Sequence, residues 1–274
     1  MYGSGEVGVF CEMLFEAFFG WDKVRLLTSK GQTIDQSDLL RFHWALEDLK
    51  RQRPIQHFIG YTEFCGCRIA VCPDVLIPRP ETEEMVNSLT TSLSPAAEGC
   101  GILDICTGSG CIAIAMKKAF PQAEVTAVDV SDRALAIAKR NADANGTDIK
   151  FLQDDVLDSH ISLLTSHYSI IISNPPYVRD SERAQMSANV LDYDPALALF
   201  VPDDDPLRFY RAIASIAKES LAIDGLLAVE INEALSDETA ALLKENGFEA
   251  VIHTDFRNKP RWISATLTTV NSKL

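Results

Sequence analysis

The chain has 274 residues, of which 47% are hydrophobic and 23% charged, a globular composition that excludes a disordered tail or a collagen-like repeat. Acidic residues number 39 against 25 basic, a net charge of −14, which opposes non-specific binding to nucleic-acid phosphates but leaves room for a local basic groove or a protein substrate. No uninterrupted apolar run reaches the roughly 20 residues a membrane helix needs, and the opening MYGSGEVGVF lacks the basic stretch and apolar core of a secretory signal, so a cytoplasmic chain with reduced thiols is expected.

Residues 1–53 read as a small helical unit. Apolar residues recur at helical spacing from Glu12 to Phe19, and Gly20 is a stop signal. Ser37 or Asp38 is the expected cap of a helix through Leu39, Leu40, Leu46 and Leu49. Residues 54–80 change character: EFCGCRIAVC predicts a short hairpin around Gly66, and CPDVLIPRPE, with Pro73, Pro78 and Pro80, must run extended. Cys65, Cys67 and Cys72 have no paired C-x2-C spacing, so they are expected to pack as small hydrophobes and no metal site is expected.

From residue 81 the pattern is βα repetition. Helices are expected over 81–93, 110–120, 131–144 (capped by Ser131), 206–221 and 235–245; strands over 102–105, 124–129, 149–152, 168–173, 225–231, 248–253 and 262–267. Short apolar strands alternating with helices predict an α/β fold, a parallel sheet covered on both faces. The last two strands, joined only by a loop, predict an antiparallel pair at one edge.

Two segments carry chemistry. ILDICTGSGCIAIA sets Asp104, Gly108 and Gly110 between a strand and a helix, where glycines let backbone approach a ligand. Asp129 ends the next strand, where a carboxylate accepts hydrogen bonds from a ribose. The G-x-G-x-x-G spacing of nicotinamide sites is absent. At the end of the strand over 168–173 stands Asn174-Pro175-Pro176-Tyr177. An amide nitrogen is a poor nucleophile, and an in-line displacement requires its lone pair to be aimed. The Asn174 side-chain oxygen and the Pro175 carbonyl can each accept one N–H of a planar NH2 group. Proline fixes that backbone, and Tyr177 offers a flat face to the substrate group.

The D-x-x-T-G-S-G shape resembles the first motif of S-adenosylmethionine-dependent methyltransferases. That resemblance implies that Asp104 and the turn Cys106, Thr107, Gly108, Ser109 and Gly110 lie along the methionine part of the cofactor. Asp129 would hold its ribose, Asp155 would sit by the adenine, and Asn174 would border the methyl group. PIQHFIG (54–60), DVLIPRPETE (74–83), YDPALALF (193–200), EIN (230–232) and DFRNKPRW (255–262) resemble the HemK/PrmC family over roughly residues 54–265. The resemblance implies a Rossmann-like class I methyltransferase domain, its mostly parallel sheet carrying an antiparallel edge strand, over 81–274. Ahead of it would come a hairpin linker over 54–80 and a helical substrate-recognition domain over 1–53.

The activity implied is protein-(glutamine-N5) methylation of the Gly-Gly-Gln motif in class I peptide chain release factors. Asn174, Pro175, Pro176 and Tyr177 would bind the glutamine. The chain would be a monomer with no direct nucleic-acid partner. Arg79, between two prolines, either lines the site or is a linker residue that faces solvent or forms a salt bridge. The alternatives are a nucleic-acid amino-methyltransferase with the same Asn-Pro-Pro-Tyr chemistry, and a non-catalytic cofactor-binding homologue. Two departures from the family stand out. Cys106 occupies a position usually held by Gly, where a side chain would crowd the cofactor or shift the backbone. VPDDDP (201–206) lacks the usual glycines.

Overall fold

The computed structural model describes residues 2–29, 31–93, 100–158 and 167–268. Their contacts divide the chain into two units. The first comprises the residues up to Tyr61 together with Ser187–Tyr193. It holds α1 (Ser4–Phe19), α2 (Lys23–Thr28), α3 (Gln36–Lys50) and the single-turn α4 (Ile55–Ile59). Gly20 ends α1 in the left-handed conformation, as its place in the sequence predicts. The cap of α3 is Asp35, whose carboxylate accepts from the Asp38 amide at 2.8 Å. Ser37 instead donates to Asp35 Oδ1. The expected caps Ser37 and Asp38 are therefore helical residues, because Asp35 reaches the free N–H groups first. A small core of Leu14, Ala45, Leu49 and Ile55 with surrounding phenylalanines joins these helices.

The second unit runs from Thr62 to Met186 and from Asp194 onward. It starts at the hairpin of β1 (Tyr61–Phe64) and β2 (Cys67–Ala70). Cys65 and Gly66 both have positive φ, 48° and 71°, which a two-residue turn matched to strand twist demands. Cys67, Cys100 and Cys111 are buried in the core, with Cys65 and Cys72 packed against it, as small hydrophobes. Burial pushes the Cys65 thiol up to about 12, so it stays protonated. The proline-rich run after the hairpin is irregular until Pro80, the first residue of α5 (Pro80–Ser92).

Then come β3 (Gly101–Ile105), α6 (Cys111–Ala119), β4 (Glu124–Asp129), α7 (Asp132–Asn145), β5 (Lys150–Gln153) and β6 (Tyr168–Ser173). They are followed by β7 (Val178–Arg179), α8 (Ala188–Leu191, part of the first unit), β8 (Phe200–Val201), α9 (Arg208–Ser220), β9 (Leu221–Glu230), α10 (Ser236–Glu245), β10 (Phe248–Thr254) and β11 (Pro260–Leu267). The seven-stranded sheet has the order β10-β11-β9-β6-β3-β4-β5. It is parallel throughout, except that β11 runs antiparallel to β9 and β10. That is the predicted architecture with its antiparallel pair at one edge, although the antiparallel strand itself is β11, second from the edge, with β10 outside it.

The continuous apolar strands follow from burial on both faces. Ile102, Ile170 and Ile172 enter the core under α5, α6 and α7, while Leu103, Ile105 and Ile171 enter the core under α9 and α10. One region departs from expectation. β9 starts at Leu221, directly after α9, rather than at Gly225. Ala222–Gly225 form a bulge between the pairs Tyr168–Leu221 and Ile170–Leu226, with Asp224 at φ 60°. The IDGL stretch reads locally as a turn, yet pairing with β6 holds it in the strand.

Candidate active site

The sheet reverses its strand order between β3 and β6, and ligands of such sheets bind beyond the carboxyl ends at that point. These two strands are neighbours, with Ile105 beside Ser173. Ser173 Oγ donates to the Ile105 carbonyl at 2.7 Å, tying the ends together. A cavity of about 280 Å³ opens there. Its floor is the turn after β3, and its far wall comes from the turns after β4 and β5. Asn174 and Pro176 close it after β6, and residues 73–76, Pro78, Thr82, Pro195, Leu197, Ala198 and Phe209 also line it.

The turn after β3 alternates between left-handed and ordinary backbone. Cys106, Gly108 and Gly110 have φ of 60°, 54° and 82°. Gly110 has a second reason to be glycine: a Cβ there would stand 3.0 Å from Ala138 Cβ and 3.2 Å from its Cα, on α7. Cys106 keeps the backbone that glycine would adopt and accepts the strain, about 1–2 kcal/mol for an L-residue. Its side chain lines the cavity. Burial, with Asp129 and Asp104 nearby, raises its thiol well above the ordinary value.

Asp104 does not lie along the cavity, contrary to the role implied by resemblance. It is fully buried, and its Oδ2 accepts from Thr107 Oγ1 at 2.5 Å and the Ala113 amide at 3.1 Å. The carboxylate is used to hold the turn on the first turn of α6. Its Oδ1 has no hydrogen-bond partner, and burial pushes the group up to about 7. Gly110 likewise lies behind the cavity wall, against α7.

Asp129 lines the cavity. Its oxygens accept from the Gly108 amide at 2.8 Å and the Ser131 amide at 2.9 Å, and burial raises its pKa. Asp155 is exposed at the cavity's edge, its Oδ1 accepting from the Leu157 amide. Cys106, Thr107, Gly108, Ser109, Asp129, Asp155, Asn174 and Pro176 thus line one cavity.

The Asn-Pro-Pro-Tyr segment divides. Asn174 and Pro176 face the cavity, and Pro175 is buried between them. Tyr177 is turned away, packed against the core under α9, with its hydroxyl donating to Glu230 Oε1 at 2.9 Å. Burial and the Glu230 charge hold that phenol protonated. A flat tyrosine face on the substrate is therefore not what this arrangement offers. Of the two roles open to Arg79, the structure shows the salt bridge, to the buried carboxylate of Asp194.

Sequence reasoning gave no individual role to three residues here. Glu230, 2% exposed, accepts from Thr82 Oγ1 at 2.5 Å, and Asn174 Nδ2 donates to the same Thr82 oxygen at 3.0 Å. Asn141 on α7 is the third. It donates to the Ser109 carbonyl at 2.8 Å and bonds both polar groups of Ala70, tying the turn to the hairpin. The segments DVLIPRPETE and EIN contained Thr82 and Glu230, but no local spacing linked them.

Residues 3–60 match the family described as the PrmC N-terminal domain, and residues 82–192 the methyltransferase small domain. The release factor glutamine methyltransferase of Flavobacterium psychrophilum is 42% identical over 251 residues, covering 91% of this chain and 87% of that one. Its namesake from Bacteroides thetaiotaomicron is 45% identical over 218 residues, 79% of this chain and 77% of the other. Among solved structures, a methyltransferase from Pyrococcus furiosus shares the fold, with a TM-score of 0.54 at 17% identity over 84% of this chain and 98% of that one.

Proposed function

Since the chain belongs to the release factor glutamine methyltransferase family, we propose that it transfers a methyl group from S-adenosylmethionine to the side-chain amide nitrogen of the glutamine in the Gly-Gly-Gln motif of class I peptide chain release factors. The observation that carries this reading is Asn174. It borders the cavity with its NH2 held by Thr82, which leaves its oxygen as the amide's acceptor.

The residues fit the cofactor. Asp129, beside the Gly108 amide, supplies a carboxylate of the kind that accepts from a ribose diol. Val130, Val156 and Leu157 give an apolar wall for a flat base, with Asp155 at its edge. When bound, the cofactor supplies an electrophilic methyl on a sulfonium. The chain's task is to aim the acceptor nitrogen. Asn174 Oδ1 and the Pro175 carbonyl accept the two N–H groups of the glutamine amide and turn its lone pair toward the donor. The proline pair keeps these acceptors from rotating away. The proton leaves after transfer, so no strong base is required.

Residues 1–53 are proposed to recognise the release factor, with 54–80 linking them to the catalytic domain over 81–274. The chain acts in the cytoplasm as a monomer, where its substrate works. The test is transfer of labelled methyl to purified release factor, with peptide mass spectrometry to locate it. One methyl on the Gly-Gly-Gln glutamine supports the reading. Asn174→Ala should retain cofactor affinity and lose about a hundredfold or more in turnover; full turnover in that variant would sink the role given to Asn174.

A further inference from the structure

An asparagine amide can turn either face to a ligand, and only one is useful for holding an NH2 group. The choice at Asn174 is made two residues away. Glu230 ends β9 in the interior; burial raises its pKa, but both its oxygens face hydroxyl donors, Oε2 that of Thr82 and Oε1 that of Tyr177, so the carboxylate acts as the acceptor. A threonine hydroxyl has one proton, and Thr82 gives it to Glu230 Oε2 at 2.5 Å. What remains on the Thr82 oxygen is lone pairs. They accept from Asn174 Nδ2 at 3.0 Å. A flipped amide would set Asn174 Oδ1 against that oxygen, two acceptors with no proton between them.

The same carboxylate receives the Tyr177 hydroxyl at 2.9 Å, and Asn232, two residues after Glu230, donates to the Tyr177 carbonyl at 3.1 Å. One buried acid therefore secures both ends of the Asn-Pro-Pro-Tyr segment. We propose that Thr82 and Glu230 are positioning residues of the methyl-transfer reaction: the acceptor oxygen of Glu230, relayed through the Thr82 hydroxyl, selects the Asn174 amide orientation that offers its oxygen to the substrate amide. This rests on the functional reading above. Neither residue contacts the reacting atoms in this scheme.

The experiment compares Thr82→Val, Thr82→Ser and Glu230→Gln with the unsubstituted full chain, using a class I release factor as acceptor. Valine matches threonine in shape and removes the hydroxyl. Thr82→Val and Glu230→Gln should lower kcat by about tenfold or more, with cofactor KM and S-adenosylhomocysteine affinity within about twofold of the unsubstituted values. Thr82→Ser, which restores the relay, should recover kcat to within about threefold. A kcat for Thr82→Val near the unsubstituted value overturns the proposal. So does a Thr82→Ser variant as slow as Thr82→Val, because the methyl group and not the hydroxyl would then matter.

If the unsubstituted chain transfers nothing to the release factor, the functional reading has failed, and the relay is read by nitrogen-15 NMR of the Asn174 side chain. Its Nδ2 protons, assigned by their loss in Asn174→Asp, should exchange with solvent at least about tenfold faster in Thr82→Val and regain protection in Thr82→Ser. Unchanged exchange refutes the relay in that case too.

Discussion

Asp104 makes the fold's stability depend on pH in a direction opposite to that of most carboxylates. The group is fully buried, with one oxygen unpartnered, and its pKa rises from 3.8 to about 7, desolvation outweighing the bonds from Thr107 and Ala113. At about 1.36 kcal/mol per pH unit, that gap is worth about 4 kcal/mol. The sign follows from proton binding. Below pH 3.8 the carboxyl is protonated in both states and carries no penalty. As pH rises toward 7 the unfolded chain ionises first, so stability falls; above 7 both states are ionised and the full penalty stands. Asp104→Asn removes the titration. Its oxygen can accept both existing bonds, and its NH2 takes the unpartnered place at a loss of about 1–3 kcal/mol that does not vary with pH. At pH 5 about 1.6 kcal/mol of the aspartate's penalty is already present, so urea unfolding of both proteins from pH 5 to 8 gives a stability difference that starts within about 1.5 kcal/mol of zero. It shifts toward the asparagine by about 1.4 kcal/mol per pH unit up to pH 6.5, then flattens. A difference constant to within about 0.5 kcal/mol over the whole range would show that Asp104 is already neutral or already solvated, and would refute the argument.

Gly110→Ala should lower stability by about 2–3 kcal/mol, since its Cβ meets the backbone of Ala138 at a φ of 82°; a urea midpoint unchanged from the parent contradicts this. Cys106→Gly exchanges relief of about 1–2 kcal/mol of left-handed strain for a similar loss of packing and chain entropy, so stability stays within about 1 kcal/mol of the parent. S-adenosylmethionine should nevertheless bind a few-fold tighter by calorimetry, because a side chain leaves the cavity wall; equal affinity means that the thiol does not touch the ligand. Asp129→Asn should weaken the same binding by about tenfold or more, the usual effect of losing a charged acceptor, whereas an unaltered Kd would remove Asp129 from the cofactor's site.

The parts of this molecule legible in its sequence are those set by neighbours along the chain. Ile102 to Ile105 and Ile170 to Ile172 announce a two-sided sheet because each strand alone must feed two cores. The turn after β3 and the Asn-Pro-Pro-Tyr segment announce a site because each holds its unusual backbone or acceptors within a few residues. What stayed hidden is polar pairing across the fold. Thr82 and Glu230 are 148 residues apart, and Arg79 and Asp194 are 115 apart. No periodicity connects such pairs: Thr82 and Glu230 each read as an ordinary helix or strand residue, and nothing beside Arg79 names Asp194 as its partner. Asp104 and Tyr177 show the reverse error. Both sit inside a legible motif, so chemistry at the ligand was expected of them. The structure gives one to Thr107 and Ala113 and the other to Glu230. A motif thus marks where a site lies more surely than which of its side chains face the ligand. Cys106 makes the same point from the backbone: the left-handed path at 106, 108 and 110 persists where glycine is missing. That path is therefore imposed by the packing of β3, α6 and α7 around the turn, not by the freedom of glycine alone.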